Sequence, residues 1–306
     1  MLDRTRCLFL QRISIALSLN SANGHERGVP VLRASGERGM REPPRVTRRR
    51  ASTRRTGRRD RAPDAPATIL VLDVGGSKVK LLATGETTPR KIPSGPTLTP
   101  QRMVKAVMAA CKDWKYDAVS LGYPGLAGAQ GPRSEPGNLG PGWVGFNFAA
   151  AFGLPVRILN DAAMHALGSY EGGRMLFLGL GTGLGSALVA QNVIIPLELG
   201  ELPSRDGGLL GDSLGRSGLK RIGKRTWRKE LTRTVERLAA AFTPDYIVLG
   251  GGNAKLLKEL PPGTRIGNNL AAFRGGFRLW HLPDLPTLSG NSELAVQVPL
   301  AEWRVI

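Results

Sequence analysis

Short apolar runs and glycine turns alternate with segments of helical period along most of the chain. Residues 69–72, 79–83, 118–121, 156–159, 175–180, 186–190, 193–196 and 246–249 are apolar nearly throughout, as strands buried on both faces are. Between them, residues 99–114 align Met103, Val104, Val107, Met108 and Cys111 on one side of a helix, with Pro100 in its first turn. Residues 162–170 and 230–242 read the same way, the second with Leu231, Val235, Leu238, Ala239 and Phe242 aligned. Further helical segments are expected at 149–152, 254–260 and 269–282. Strands interleaved with helices predict an α/β protein.

The polar residues that interrupt this pattern sit where strands end. Run 69–72 leads into Asp73, Gly75, Gly76, Ser77 and Lys78, and a strand returns directly. That is strand–turn–strand, not the strand–turn–helix of a Walker loop. Glycines there let backbone N–H groups approach a phosphate, with Ser77 adding a hydroxyl and Lys78 or Lys80 a charge. Asp73 suits a metal-bound water. A plain hairpin with a polar turn fits the same residues.

Run 156–159 ends in Asn160 and Asp161, and Gly181, Thr182 and Gly183 follow twenty residues later between two more strands. A carboxylate at a strand end near a glycine turn suits chemistry on a phosphorylated ligand, with Asp161 as a base and the turn as a phosphate cradle. An ordinary strand end and hairpin fit too. Other candidates are the turn 122–125, the loop bearing Asn138, Trp143 and Asn147, and the carboxylates Glu198 and Glu201, which could accept bonds from vicinal hydroxyls. Gly250, Gly251 and Gly252 close the set, at a strand end open to a nucleotide. Residues 203–218 read as a polar glycine-rich loop, followed by a strongly basic stretch, 220–229.

Charge divides the chain. Of the net +19, +10 lies in residues 1–66, which hold sixteen arginines, no lysine and six acids. Such a segment buries too little apolar surface to offset its ordering entropy, so disorder is expected there. An Arg-rich targeting peptide, translated sequence upstream of the native start, and a nucleic-acid-binding arm are alternative accounts. The chain shows no helix-turn-helix pattern. No run of eighteen apolar residues occurs, so no membrane span is expected. Cys7 and Cys111 form neither a disulfide framework nor a zinc spacing, which fits a reducing cytoplasm.

Taken in order, DVGGSKVK (73–80), GYPG (122–125), LNDAAMHALG (159–168), LGLGTGLGSAL (178–188), PLELGE (196–201) and IVLGGG (247–252) resemble the ROK family of sugar kinases, near its polyphosphate and ATP glucokinases. Segment 265–276 is similar to that family's closing helix. The resemblance implies an actin-like ATPase (ribonuclease H-like) fold: two lobes around a cleft, each a mixed sheet with flanking helices. With composition setting off a head (1–66) and a patternless tail (284–306), it divides the rest into an N-terminal lobe (67–160) and a C-terminal lobe (161–283). It assigns Asp161 as the base for a sugar hydroxyl, and Asn138, Asn160 and Glu198 as sugar ligands. It assigns Asp73, Gly75, Gly76, Ser77, Lys78, Gly181, Thr182 and Gly183 to the phosphates, and Gly250 to Gly252 to the nucleotide side. It further implies Mg²⁺ held through phosphates, ATP or polyphosphate as donor, glucose as the leading acceptor, and often a homodimer.

Two departures matter. The family motif ends in His where this chain has Glu201, which keeps another hexose or an amino sugar open as acceptor. Residues 202–230 contain no cysteine, so no structural zinc is expected. A non-catalytic sugar sensor or transcriptional regulator of the same family is the remaining alternative.

Overall fold

The computed structural model describes residue 66, residues 68–281 apart from 129 and 269, and residues 304–305. The expected disordered head (to residue 65) and most of the expected tail lie outside these residues. Among the described residues no helix is long and apolar enough to cross a membrane.

Two mixed sheets are built to the same plan. In the first, β1 (Ile69–Val74), β2 (Lys78–Ala83) and β3 (Arg90–Pro93) form an antiparallel meander. β4 (Ala118–Tyr123) then adds parallel to β1, and β7 (Val156–Asn160) parallel to β4, giving the order β3-β2-β1-β4-β7. Between β4 and β7, β5 (Ala127–Gly128) and β6 (Gly131–Pro132) make a small hairpin in what the sequence offers only as a loop. The second sheet repeats the plan: β8 (Arg174–Leu180), β9 (Leu184–Ala190) and β10 (Val193–Leu197) form the meander. β11 (Tyr246–Gly250) and β12 (Thr264–Ile266) continue it in parallel beside β8. β13 (Arg304–Val305) pairs parallel with β10 at the opposite edge, where the sequence shows no pattern.

Side-chain alternation sends neighbouring strand residues to opposite faces. Leu70 and Leu72 of β1 pack with Met103 and Val107 of α1 (Pro100–Ala110) and with α2 (Phe148–Phe152), while Val71 faces the other way. Thr99 caps α1, its Oγ1 accepting from the Arg102 N–H at 3.4 Å. On β8, Leu176 and Leu178 pack under Trp227, Leu231 and Val235 of α5 (Arg216–Phe242), and Met175 and Phe177 face inward.

The inward faces meet over α3 (Asp161–Ser169) and α6 (Ala271–Arg278). These helices touch backbone to backbone. A Cβ on Gly168 would collide with the Ala271 carbonyl, and one on Gly275 with that of Met164. Within the expected 269–282 the described helix runs from Ala271 to Arg278, and Leu279–His281 tightens into a 3-10 turn. Residues 254–260 do not form an α-helix either; Gly252–Leu256 is one 3-10 segment. The loop expected at 203–218 contains α4 (Leu210–Leu214) and the start of α5, a helix broken at Gly223 (φ 73°, ψ 160°).

Candidate active site

Asp161 is the first residue of α3, where β7 ends. The preceding Asn160 caps that helix. Its Oδ1 accepts from the Ala163 N–H at 3.1 Å, and its Nδ2 donates to the Gly125 carbonyl at 3.1 Å, tying α3 to the turn after β4. Asp161 Oδ1 accepts from the Ala162 N–H at 2.7 Å. The free N–H groups of a helix start favour an anion here.

Around Asp161 opens a cleft of about 400 Å³. Asn138 and Pro124-Gly125 line it from the first sheet's loops, and Thr182-Gly183 from the β8–β9 turn. Glu198, Glu201 and Asp212 line it from the segment after β10. Asn138, Asn160, Asp161, Thr182, Gly183, Glu198 and Glu201, all singled out in the sequence, thus converge. The turn Gly75–Lys78 borders this group: a Cβ on Gly76 would stand 3.2 Å from that of Asn138. Ser77 and Lys78 are exposed at its tip.

Gly181 lies behind the cleft turn. Its carbonyl accepts from the Arg216 N–H at 3.1 Å and from Asn253 Nδ2 at 3.3 Å, so the start of α5 and the segment after β11 both brace it. Gly251 (φ 81°) packs so closely that a Cβ would stand 2.5 Å from the Leu180 carbonyl oxygen. Gly251 thus packs against the strand that leads into the turn, and none of Gly250, Gly251 and Gly252 lines the cleft.

Three side chains take other places than the sequence offers. Trp143 is wholly buried, its Nε1 donating to the Gly140 carbonyl at 2.7 Å, so it belongs to the core and not to a binding loop surface. Asn147 caps α2, its Oδ1 accepting from the Ala150 N–H. Lys80 is not a free cation at the turn; its Nζ lies 2.6 Å from Asp73 Oδ2.

The electrostatics separate two carboxylates. Burial alone would raise the proton affinity of Asp73, but His165, 3.7 Å away, and Lys80 more than offset it and hold Asp73 far below the usual range. Asp161 is pushed up to about 6, first by burial and then by the negative charge of Asp73. His165 and the Ala162 N–H act against the rise, and Glu198 adds to it. Burial and Glu201 raise Glu198 as well. His165 escapes a reading of the sequence. Its spacing of four from Asp161 puts both on one side of α3, but its partner Asp73 is distant in the chain. Asp212 reaches the cleft from a stretch whose composition suggests only a loop.

No family model matches the chain. It is 29% identical over 204 residues to the polyphosphate glucokinase of Mycobacterium leprae, an alignment covering 60% of this chain and 59% of that protein. The chain thus spans about three fifths of that relative's length. With the Mycobacterium tuberculosis polyphosphate glucokinase it shares 28% identity over 214 residues, 62% of this chain and 80% of the relative. Among solved structures, an inorganic polyphosphate/ATP-glucomannokinase from Arthrobacter sp. strain KM superposes with a TM-score of 0.60 at 23% identity, covering 71% of this chain and 98% of that one. A ROK-family glucokinase from Streptomyces griseus, in complex with glucose and AMPPNP, gives 0.53 at 19%, covering 69% and 98%. A ROK-family transcriptional regulator, a homologue of the E. coli MLC protein, gives 0.50 at 14%, covering 70% and 77%, so the fold alone does not separate kinases from regulators. In sequence the chain is similar to polyphosphate glucokinases, and its fold is that of the solved ROK-family sugar kinases.

Proposed function

We propose that the protein is a hexose kinase that transfers a terminal phosphoryl group from ATP or polyphosphate to a sugar hydroxyl, glucose being the leading acceptor. One observation carries this reading: Asp161, with raised proton affinity, shares a single cleft with hydroxyl-binding side chains and a glycine turn. Asn138, Glu198 and the remaining bonding capacity of Asn160 hold the sugar. The backbone N–H groups of Thr182 and Gly183, with the Gly75–Lys78 turn, receive the phosphates. Gly250 to Gly252 serve the nucleotide side, with Gly251 packed against Leu180 just before that turn.

In the reaction the sugar oxygen bonds to the terminal phosphorus, the bridging P–O bond breaks, and the hydroxyl proton passes to Asp161. Positioning in line and neutralised phosphate oxygens supply most of the acceleration. A carboxylate titrating near 6 is a stronger base than an ordinary aspartate and is still ionised at neutral pH.

The residues present fit Mg²⁺ bound through phosphates. Among the described residues, no three His, Cys, Asp or Glu side chains converge as a protein-only site. Asp73, beside the first glycine turn and already partnered by Lys80, suits one contact through water, as Mg²⁺ sites at phosphates commonly use. When bound, the ion neutralises charge on the phosphate oxygens.

A panel of sugars assayed with ATP and with polyphosphate tests the reading. Sugar-dependent phosphate transfer that disappears in Asp161→Asn, with sugar binding retained, is the expected result. Normal turnover in that variant removes the base assignment.

Glu201 favours one alternative acceptor. Four carboxylates line the cleft (Asp161, Glu198, Glu201 and Asp212), and no basic residue does among the described ones. That field attracts an ammonium group, so an amino sugar is the second reading, and glucosamine belongs in the panel.

A further inference from the structure

The outer face of α5 carries charge that the cleft does not use. The helix holds nine basic residues against Glu230 and Glu236. Its buried side is spent on the second sheet through Trp227, Leu231, Val235 and Leu238. Two of the cations are paired, Arg221 with Asp206 and Arg233 with Glu230. Lys220, Lys224, Arg225 and Lys229 are exposed, with no acidic partner among the described residues. Arg225 and Lys229 are four apart and share one side of the segment after Gly223, while Lys220 lies on the segment before that break, so the free charges run in turn along both parts of α5.

Both ends of that line are defined. At its start, Arg216 donates its backbone N–H to the carbonyls of Gly181 and Thr182, so α5 leaves directly from the turn in the cleft. At its far end, Arg228, Lys229 and Lys258 border a basin of about 700 Å³, with Glu236 and Glu259 also on its wall. Within this wall Arg228 Nη2 donates to the Leu256 carbonyl, while its Nε is buried without a partner. From Arg216 to Lys229 the helix rises up to about 20 Å, shortened by the break at Gly223. A nucleotide triphosphate at the cleft turn does not extend along such a line. A linear polyanion with one charge per unit does.

We propose that this face is the track for the distal chain of a polyphosphate donor, whose terminal phosphate lies at the Thr182-Gly183 turn and whose chain follows Lys220, Lys224, Arg225 and Lys229 to the Arg228–Lys258 basin. The proposal rests on the sugar-kinase reading and narrows its donor. Binding by a line of exposed cations releases counterions, so it weakens steeply with salt.

The test compares the full chain with the triple variant Lys224→Ala, Arg225→Ala, Lys229→Ala, whose side chains are all exposed. Sugar phosphorylation is measured with ATP, tripolyphosphate and long-chain polyphosphate at low and high salt. The expected result is a KM for long polyphosphate raised roughly tenfold at low salt and less at high salt, with ATP and tripolyphosphate within twofold and kcat kept. Equal effects on all three donors, or none on the long one, overturn the track. If no donor supports turnover in the native chain, the kinase reading fails separately. Equilibrium binding of labelled long-chain polyphosphate then decides the track, and equal affinity of native chain and variant overturns it. Displacement of that polyphosphate by a DNA oligonucleotide of equal charge with equal affinity overturns it too, marking a general polyanion surface.

Discussion

Lys80 stands directly opposite Asp73 in the β1–β2 ladder, its Nζ 2.6 Å from the carboxylate, and with His165 it keeps a negative charge beside the catalytic candidate. Asp73 is buried and Lys80 is partly exposed, so solvent weakens the pair from one side only. Lys80→Met should cost about 1–3 kcal/mol at neutral pH. The sign with pH follows from the depressed titration of Asp73. Its stabilisation is present above the unfolded value of 3.8 and is lost as pH falls through the lower folded one. Urea denaturation at pH 7 and pH 3 should therefore show the gap between native chain and variant narrowing in acid. A gap that is constant across that range counts against the pair.

Asp161 has the opposite sign. Its folded titration lies above the unfolded value, so its ionised form is held at a cost that is present above about pH 6 and relieved in acid. Asp161→Asn should raise stability at pH 8 by about 1–3 kcal/mol, with the gain vanishing towards pH 4. In the native chain kcat/KM should fall about tenfold per unit below pH 6 as the base protonates. An acid limb centred near 4 would show that the cleft does not raise this group.

Gly168 tests the helix pair behind the site. Alanine there improves helix propensity by about 1 kcal/mol yet collides with the Ala271 carbonyl of α6. Gly168→Ala should lower stability by roughly 2–3 kcal/mol or more, read as a drop in Tm. Gly137→Ala, with open space around it, should change little. Equal Tm values for both would mean that α3 and α6 do not approach as described.

Glu201 tests the acceptor. Glu201→His removes one of four cleft carboxylates and leaves Asp161 in place. The ratio of kcat/KM for glucose over that for glucosamine should rise by about tenfold, a change on the order of 1.4 kcal/mol, as expected for one close charge. An unchanged ratio would place Glu201 away from the bound sugar.

The paired glycine turns, Asp161 at a strand end and the Glu198 segment were all legible in the chain, because strand burial and turn chemistry are local. β3 and β12 were not. They are four- and three-residue edge strands, RKIP and TRI, with too few apolar residues for a pattern, and pairing with a formed neighbour creates them. The same limit hid the Asp73–His165 approach and made Trp143 look available, since neither contact nor depth is written in spacing. The sequence alone determined an alternating α/β chain with chemistry at its strand ends, through side-chain periodicity and the backbone freedom of glycine. Only the tertiary structure decided which ends meet, that Asp73 stays ionised while Asp161 is driven upward, and that the basic face of α5 begins at the cleft turn. Those properties depend on distances and desolvation between residues far apart in the chain.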